Sequence, residues 1–350
     1  VRPPKDRDFV ETTDGLIFCV VGYVHPPGRY AAYLKYTPAG AGKWVRGDVA
    51  YRRELPFYHV RHVRRTLEWL ETERPRYLWT DPATGLRFSH VPADAVARYY
   101  VPEQRLAEIV AGPADRLEEE TRDLALLLAR ASAVPLEALG VSGSVLLGLH
   151  NPDFSDIDLL VYGAESVRRL RAVIDRLGGE GLVPLPEERR ARWRAETAAR
   201  FGLDREWVAE LETRRWYYRL FRGRYVSLHA TRADHEIREA YGDRRYAPLG
   251  RAVVEARVTD ASEAMFLPAV YRVEDVRWHE GGPGSLEEIV AFEGLYAGAA
   301  ETGERIRAVG HLEAERAGGR RLVVGSGFLP DGGSLRVLGP GDGRPPGGRR

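Results

Sequence analysis

The spacing of apolar and polar positions changes along the chain, and each change predicts an element. Residues 16–25 and 29–36 are two β-rich runs separated by Pro26-Pro27-Gly28, which predicts a hairpin. Residues 60–72 set Val63, Leu67 and Leu70 at helical spacing, and residues 93–100 and 102–110 predict two short helices, the second opened by Pro102. Residues 113–132 predict a longer helix. Asp115, Glu118, Glu119 and Glu120 crowd its first turns, where they suit the helix dipole, and Leu117, Leu124, Leu127 and Leu128 give it an apolar face. A short apolar run then ends at Gly143-Ser144, and the run Ile157, Leu159, Leu160, Val161 reads as a buried strand. Helices are expected over 166–177, stopped by Gly178-Gly179, over 186–201 and over 204–221, and a strand over 224–230. From about residue 245 the pattern breaks into five strands, at 252–258, 269–276, 288–293, 305–313 and 320–325, several joined by glycine-rich turns.

This pattern is α+β overall. It divides into an α+β accessory domain at 1–112, an α/β domain with a short mixed sheet at 113–240, and a small barrel-like or sandwich domain at 245–334. The Gly, Pro and Arg of residues 335–350 predict a disordered tail.

Composition narrows the class. The chain has 350 residues and a formal net charge of +1, so any basic surface must be local. Cys19 is the single cysteine, which excludes an intramolecular disulfide and a Cys-based zinc site. The apolar run around it is too short to span a bilayer, so no membrane partner and a cytoplasmic location are expected. Tyr23, Tyr30, Tyr33 and Tyr36 sit on or near the first hairpin; aromatic sheets can stack bases, but packing a half-exposed sheet is the simpler reading.

The candidate chemistry lies between residues 139 and 163. Asp156 and Asp158 are two residues apart on a predicted strand, so both carboxylates project from one face. Adjacent carboxylates repel unless a cation lies between them, and a hard divalent ion such as Mg²⁺ prefers their oxygens. Gly143-Ser144 reads as a strand-to-helix turn that lets backbone approach a phosphate. Metal and phosphate cradle together point to phosphoryl chemistry on a nucleotide, with metals clamping an in-line displacement.

This arrangement resembles the DNA polymerase beta-like nucleotidyltransferase superfamily, more loosely a group of prokaryotic predicted nucleotidyltransferases. Gly143, Ser144, Gly148, Asp156 and Asp158 fill the family's places, and Ser155 fits before the first Asp. The resemblance implies that Gly143 and Ser144 bind the nucleotide triphosphate. It implies that Asp156 and Asp158 are both catalytic and metal-binding, with Mg²⁺ or Mn²⁺ as cofactor and an NTP such as ATP as substrate. An NMP would pass to an unidentified acceptor hydroxyl, releasing pyrophosphate.

Two departures bear on activity. Leu147 stands where many members carry Arg, and the family's third carboxylate has no clear counterpart. On strand 224–230, alternation puts Tyr225, Ser227 and His229 on one face, while Asp234 and Glu236 come slightly too late. That predicts weakened Mg²⁺ binding with some preference for Mn²⁺. The rival reading is a catalytically degenerate transferase fold that binds nucleotide or nucleic acid. The two departures favour it, and its binding would run through the Arg-rich, aromatic stretch from Arg189 to Arg224 and the C-terminal strands, where Gly-Glu-Arg-Ile-Arg-Ala-Val-Gly-His-Leu-Glu from Gly303 faintly resembles an OB-fold strand. The interleaved Glu187, Glu188, Glu196, Glu206, Glu210 and Glu212 equally suit a solvated helix face. His150, between the two motifs, reads as a hydrogen-bonded structural histidine.

Overall fold

The computed structural model describes residues 2–55 and 60–339. The chain divides into two compact units. The first comprises Val1–Phe57, Arg65–Trp79 and Phe88–Tyr241; the second comprises Tyr58–Arg64, Thr80–Arg87 and Gly242–Arg350. Residues 1–112 and 113–240, expected as separate domains, therefore share most of one unit.

In chain order the first half holds β1 (Phe9–Thr12), β2 (Ile17–Val20), β3 (Arg29–Ala39), β4 (Trp44–Arg46), β5 (Val49–Arg53), α1 (Val60–Glu73), β6 (Leu78–Thr80), β7 (Arg87–Pro92), β8 (Val96–Tyr100) and α2 (Pro102–Ala111). The predicted hairpin is β2–β3, part of an antiparallel sheet ordered β4-β5-β3-β2-β1-β8. Alternation sorts its two faces. Phe18, Val20, Ala32 and Leu34 join Val10, Leu70, Tyr77 and Val91 in one buried cluster. Cys19, Tyr33 and Lys35 point to the other face, with Cys19 and Tyr33 paired across the ladder.

Next come α3 (Arg116–Ser132), β9 (Leu139–Val141), α4 (Gly143–Leu147), β10 (Ile157–Tyr162), α5 (Ala164–Val173), β11 (Leu182–Pro184), α6 (Glu187–Phe201), α7 (Arg205–Thr213), β12 (Tyr218–Phe221) and β13 (Arg224–Thr231). The strands form a mixed five-stranded sheet ordered β11-β12-β13-β10-β9, in which β10 and β13 run parallel. Ile157, Leu159, Val226 and Leu228 are buried in it. Full burial of each such side chain is worth about 1.5–3 kcal/mol.

Three local expectations are corrected. Residues 93–100 are not a helix: a 3-10 turn at Ala93–Ala95 leads into β8, whose partner β1 lies far away in sequence. The helix expected over 204–221 ends at Thr213, because Tyr218 to Phe221 alternate as a strand between β11 and β13. β11 itself, three residues long, was not expected.

The second unit holds β14 (Tyr246–Asp260), β15 (Ala269–Glu280), β16 (Glu288–Ala291), β17 (Arg305–Glu315), β18 (Arg320–Val324) and β19 (Ser334–Val337). β14 pairs with β15, β15 with β16, β16 in parallel with β18, β18 with β17, and β17 back with β14. The pairings close into a ring. β19 adds to β17, so residues 335–337, expected in the tail, are strand. Residues 340–350 lie outside the described residues. Among the described residues no helix is long and apolar enough to cross a membrane.

Candidate functional site

The site begins with a row across the mixed sheet. Asp158 on β10 stands in register with Ser227 on β13, and Ser227 with Tyr218 on β12. In-register neighbours share a face, so the row projects to one side. Asp156 lies just before β10, two residues from Asp158. The turn between β9 and α4 closes over them. The Ser142 backbone N–H donates to the Asp158 carbonyl at 2.8 Å, and Gly143 takes a left-handed φ of 63° directly against the Asp158 carboxylate. A β-carbon at Gly143 would collide with Asp158 Oδ2. The fold thus brings the Gly-Ser turn onto Asp158.

The loop that carries Asp156 is fixed by Arg224. Its guanidinium donates to the carbonyls of Ser155 and Pro152, each at 2.7 Å, and pairs with Glu120 on α3. On the same loop, Phe154 meets Trp44 edge-to-face at 5.6 Å. His150 is structural: its Nε2 lies 2.8 Å from Asp115 Oδ2, while Asp115 Oδ1 caps α3 by accepting from the Glu118 N–H.

Among the described residues no third carboxylate joins the pair. Among the described residues no group of three His, Cys, Asp or Glu side chains could hold a metal. Asp234 pairs with Lys5 at 2.8 Å, and Glu236 accepts from the Ala164 and Ala233 N–H groups, so both late acids are engaged elsewhere. The neighbours of Asp158 are the expected ones. The Ser227 hydroxyl donates to Asp158 Oδ1, and Ser227 Oγ lies 2.9 Å from His229 Nε2. Since the hydroxyl proton is used on Asp158, His229 Nε2 must be the protonated nitrogen, donating to Ser227.

The electrostatics are those of two acids close enough to repel. Asp156 keeps contact with water, yet burial and then the charge of Asp158 push its carboxyl up to about 6, against the pull of Arg53, Arg189 and Arg224. A divalent cation between the two carboxylates would relieve that repulsion. The donors present suit one hard cation; they do not make a three-carboxylate cluster for two. His229 is held well below the usual imidazole range by burial and by Arg7, Arg215 and Lys35.

Sequence reasoning missed this last group. Lys35 and Arg7 belong to the N-terminal segment that carried no catalytic signature, and only the fold sets them near β10 and β13.

The Arg-rich helices are mostly self-neutralised. Arg190 and Arg194 pair with Glu212, Arg192 with Glu188, Arg200 with Glu196 and Arg214 with Glu210. In the barrel, Arg257 pairs with Glu274, Arg307 with Glu255 and Arg321 with Glu313. The arginines in these pairs are not free cations for a nucleic acid.

A mixed sheet with an Asp-x-Asp strand against a Gly-Ser turn defines a nucleotidyltransferase-type domain. A nucleotidyltransferase domain model matches residues 126–215, which include Gly143, Ser144, Asp156 and Asp158 but end before β13. A protein of Methanocaldococcus jannaschii, described as uncharacterized protein MJ1086, is 33% identical over 332 residues, covering 91% of this chain and 95% of the relative. The chain belongs to the nucleotidyltransferase family of the polymerase beta-like superfamily. No solved structure matches it.

Proposed function

We propose that this protein transfers a nucleoside monophosphate from an NTP to an acceptor hydroxyl and releases pyrophosphate, with Asp156 and Asp158 holding Mg²⁺ or Mn²⁺ and Gly143-Ser144 receiving the phosphates. The observation that carries the reading is the apposition of Gly143 and Asp158, which puts open backbone and carboxylate at one point. A divalent ion there supplies charge neutralisation at the reacting phosphate. Gly143 lets the chain approach the phosphates without a side chain in the way. Ser227 fixes the orientation of the Asp158 carboxylate, and Arg224 holds the loop that aims Asp156. In the reaction the acceptor oxygen bonds to the α-phosphorus, the bond from that phosphorus to the bridging oxygen breaks, and pyrophosphate leaves. The acceptor proton passes to a site carboxylate or to water.

The second reading, nucleotide binding without turnover, is favoured by one observation: Ser227 and His229 stand where a third acid would complete the cluster. One experiment separates the two. The protein is incubated with each labelled NTP, Mg²⁺ or Mn²⁺, and pools of RNA, protein and small molecules. Labelled acceptor lost in Asp158→Asn supports transfer; NTP binding that Asp158→Asn weakens, with no product, supports the binding reading. Neither product nor binding overturns both.

A further inference from the structure

The charges of three cations from both parts of the first unit, Arg7, Lys35 and Arg215, act on His229 of β13. Arg7 is held by its backbone: its N–H donates to the Val20 carbonyl at 3.0 Å, and its carbonyl accepts from the Ser142 hydroxyl at 3.1 Å. Ser142 is the residue just before Gly143, so Arg7 is tied to the phosphate turn itself. Its φ of 69° is a left-handed conformation that a non-glycine residue adopts only when its surroundings impose it. Lys35 comes from the β3 face that carries Tyr33, and its charge acts on Asp158. Arg215 precedes β12 and lies over the rings of Tyr218 at 4.4 Å and Trp193 at 4.5 Å, while Tyr218 stacks on Tyr225 at 5.7 Å. All three act on His229.

These charges are short of partners. Among the described residues the one carboxylate within ion-pair distance of Arg7 is Asp6, at 3.6 Å, and neither Lys35 nor Arg215, which hydrogen-bonds Tyr218, has one. Gathered cations without counter-charges cost folding energy, which a polyanionic ligand offsets. The guanidinium groups offer fixed forks that suit phosphate oxygens. Leu147 leaves the family's usual Arg position apolar, and Arg7, in the turn before β1, is hydrogen-bonded to the same turn through its backbone carbonyl.

We propose that Arg7, Lys35 and Arg215 form a clamp for the polyphosphate chain of the nucleotide, so that residues 5–35 are part of the transferase site and not an appendage to it. The nucleotide rests on the function proposed above; the polyphosphate binding stands apart from it and is tested without turnover or metal.

The test uses the full chain with inorganic tripolyphosphate in EDTA, followed by calorimetry. The expected result is binding that Arg7→Gln, Lys35→Gln and Arg215→Gln each weaken about tenfold or more, the size of a lost charge-assisted hydrogen bond. Lys35→Arg retains it, and Asp158→Asn, which removes an opposing charge, binds at least as tightly. Arg192→Gln, an exposed residue paired with Glu188, stays unchanged. Inorganic phosphate binds more than tenfold more weakly than tripolyphosphate. Absence of tripolyphosphate binding, or equal losses in Arg192→Gln, overturns the clamp, and so do three variants that fold by circular dichroism and bind as the parent does. Clamp binding without any NTP product or NTP affinity would count against the proposed function alone; labelled product with no effect of the three variants on tripolyphosphate would count against the clamp alone.

Discussion

A β-carbon placed on Gly143 would strike the carboxylate of Asp158. Gly148, five residues on, shares the left-handed φ of 63° but has no atom within 4 Å of a built β-carbon. The two glycines separate backbone strain from steric contact. Gly148→Ala is expected to cost only the conformational part, about 1 kcal/mol. Gly143→Ala adds an overpacking term of about 1–3 kcal/mol and displaces the Asp158 carboxylate, so it also loses divalent-ion and NTP binding. Urea denaturation of both variants checks this; equal losses would refute the close apposition.

Ser227 is the next point of leverage. Ser227→Ala removes the hydroxyl that orients Asp158 and is expected to weaken divalent-ion affinity by about 10-fold or more. Ser227→Asp puts a third carboxylate in register with Asp158. The metal-free variant should be less stable than the parent, because three acids then crowd one site, and Mg²⁺ or Mn²⁺ should raise its melting temperature by more than it raises the parent's. A metal-induced rise no larger than the parent's would show that this position does not face the cation.

The contrast between these residues explains what was legible in the chain. Asp158 and Gly143-Ser144 announce themselves because a strand and a turn fix their mutual geometry over a few residues, whereas Asp156 stands just before the strand on a loop that Arg224 holds. The Ser227 and His229 face was equally readable, since one strand sets it. Lys35 and Arg7 were not readable, because their position depends on how a second sheet packs, and no local pattern encodes that. The same limit explains residues 96–100, whose strand exists through pairing of Tyr99 with Val10 and Arg98 with Glu11. Tyr218 to Phe221 continued an aromatic and basic stretch in which helix and strand patterns overlap; only the ladder between β11 and β13 decides it.

Lys35 gives a pH dependence. Burial, then the charge of Arg53, lower its ammonium to about 8, while Cys19 and Asp158 pull the other way and Arg7 adds to the depression. A lysine with a lowered pKa is cationic below that value and neutral above it. Tripolyphosphate binding should therefore weaken as pH rises through about 8, or somewhat higher because the bound anion itself favours the ammonium. Lys35→Arg stays charged and should flatten the profile. Binding titrated from pH 6.5 to 9.5 is the measurement; parallel profiles for the two proteins would remove Lys35 from the clamp.

Asp6 offers a test of the scaffold that carries Arg7. Its side chain is 1% exposed, and Oδ1 accepts from the Gly22 N–H at 3.1 Å while Oδ2 has no hydrogen-bond partner. Burial raises its carboxyl to about 6, more than Arg7 and the Gly22 hydrogen bond lower it. The folded chain thus holds this proton more tightly than the unfolded chain, whose Asp titrates near ~4. Between those values the folded state binds more protons, so the contribution of Asp6 to stability is full below about 4 and is lost as pH rises through about 6. The difference is about 3 kcal/mol at most, since each pKa unit is worth about 1.4 kcal/mol. Asp6→Asn keeps an oxygen for Gly22 and cannot ionise. Its stability relative to the parent should rise between pH 4 and 7, by up to that amount, as read from urea midpoints at each pH. A relative stability that falls with pH would mean that the Arg7 ion pair outweighs the desolvation of Asp6.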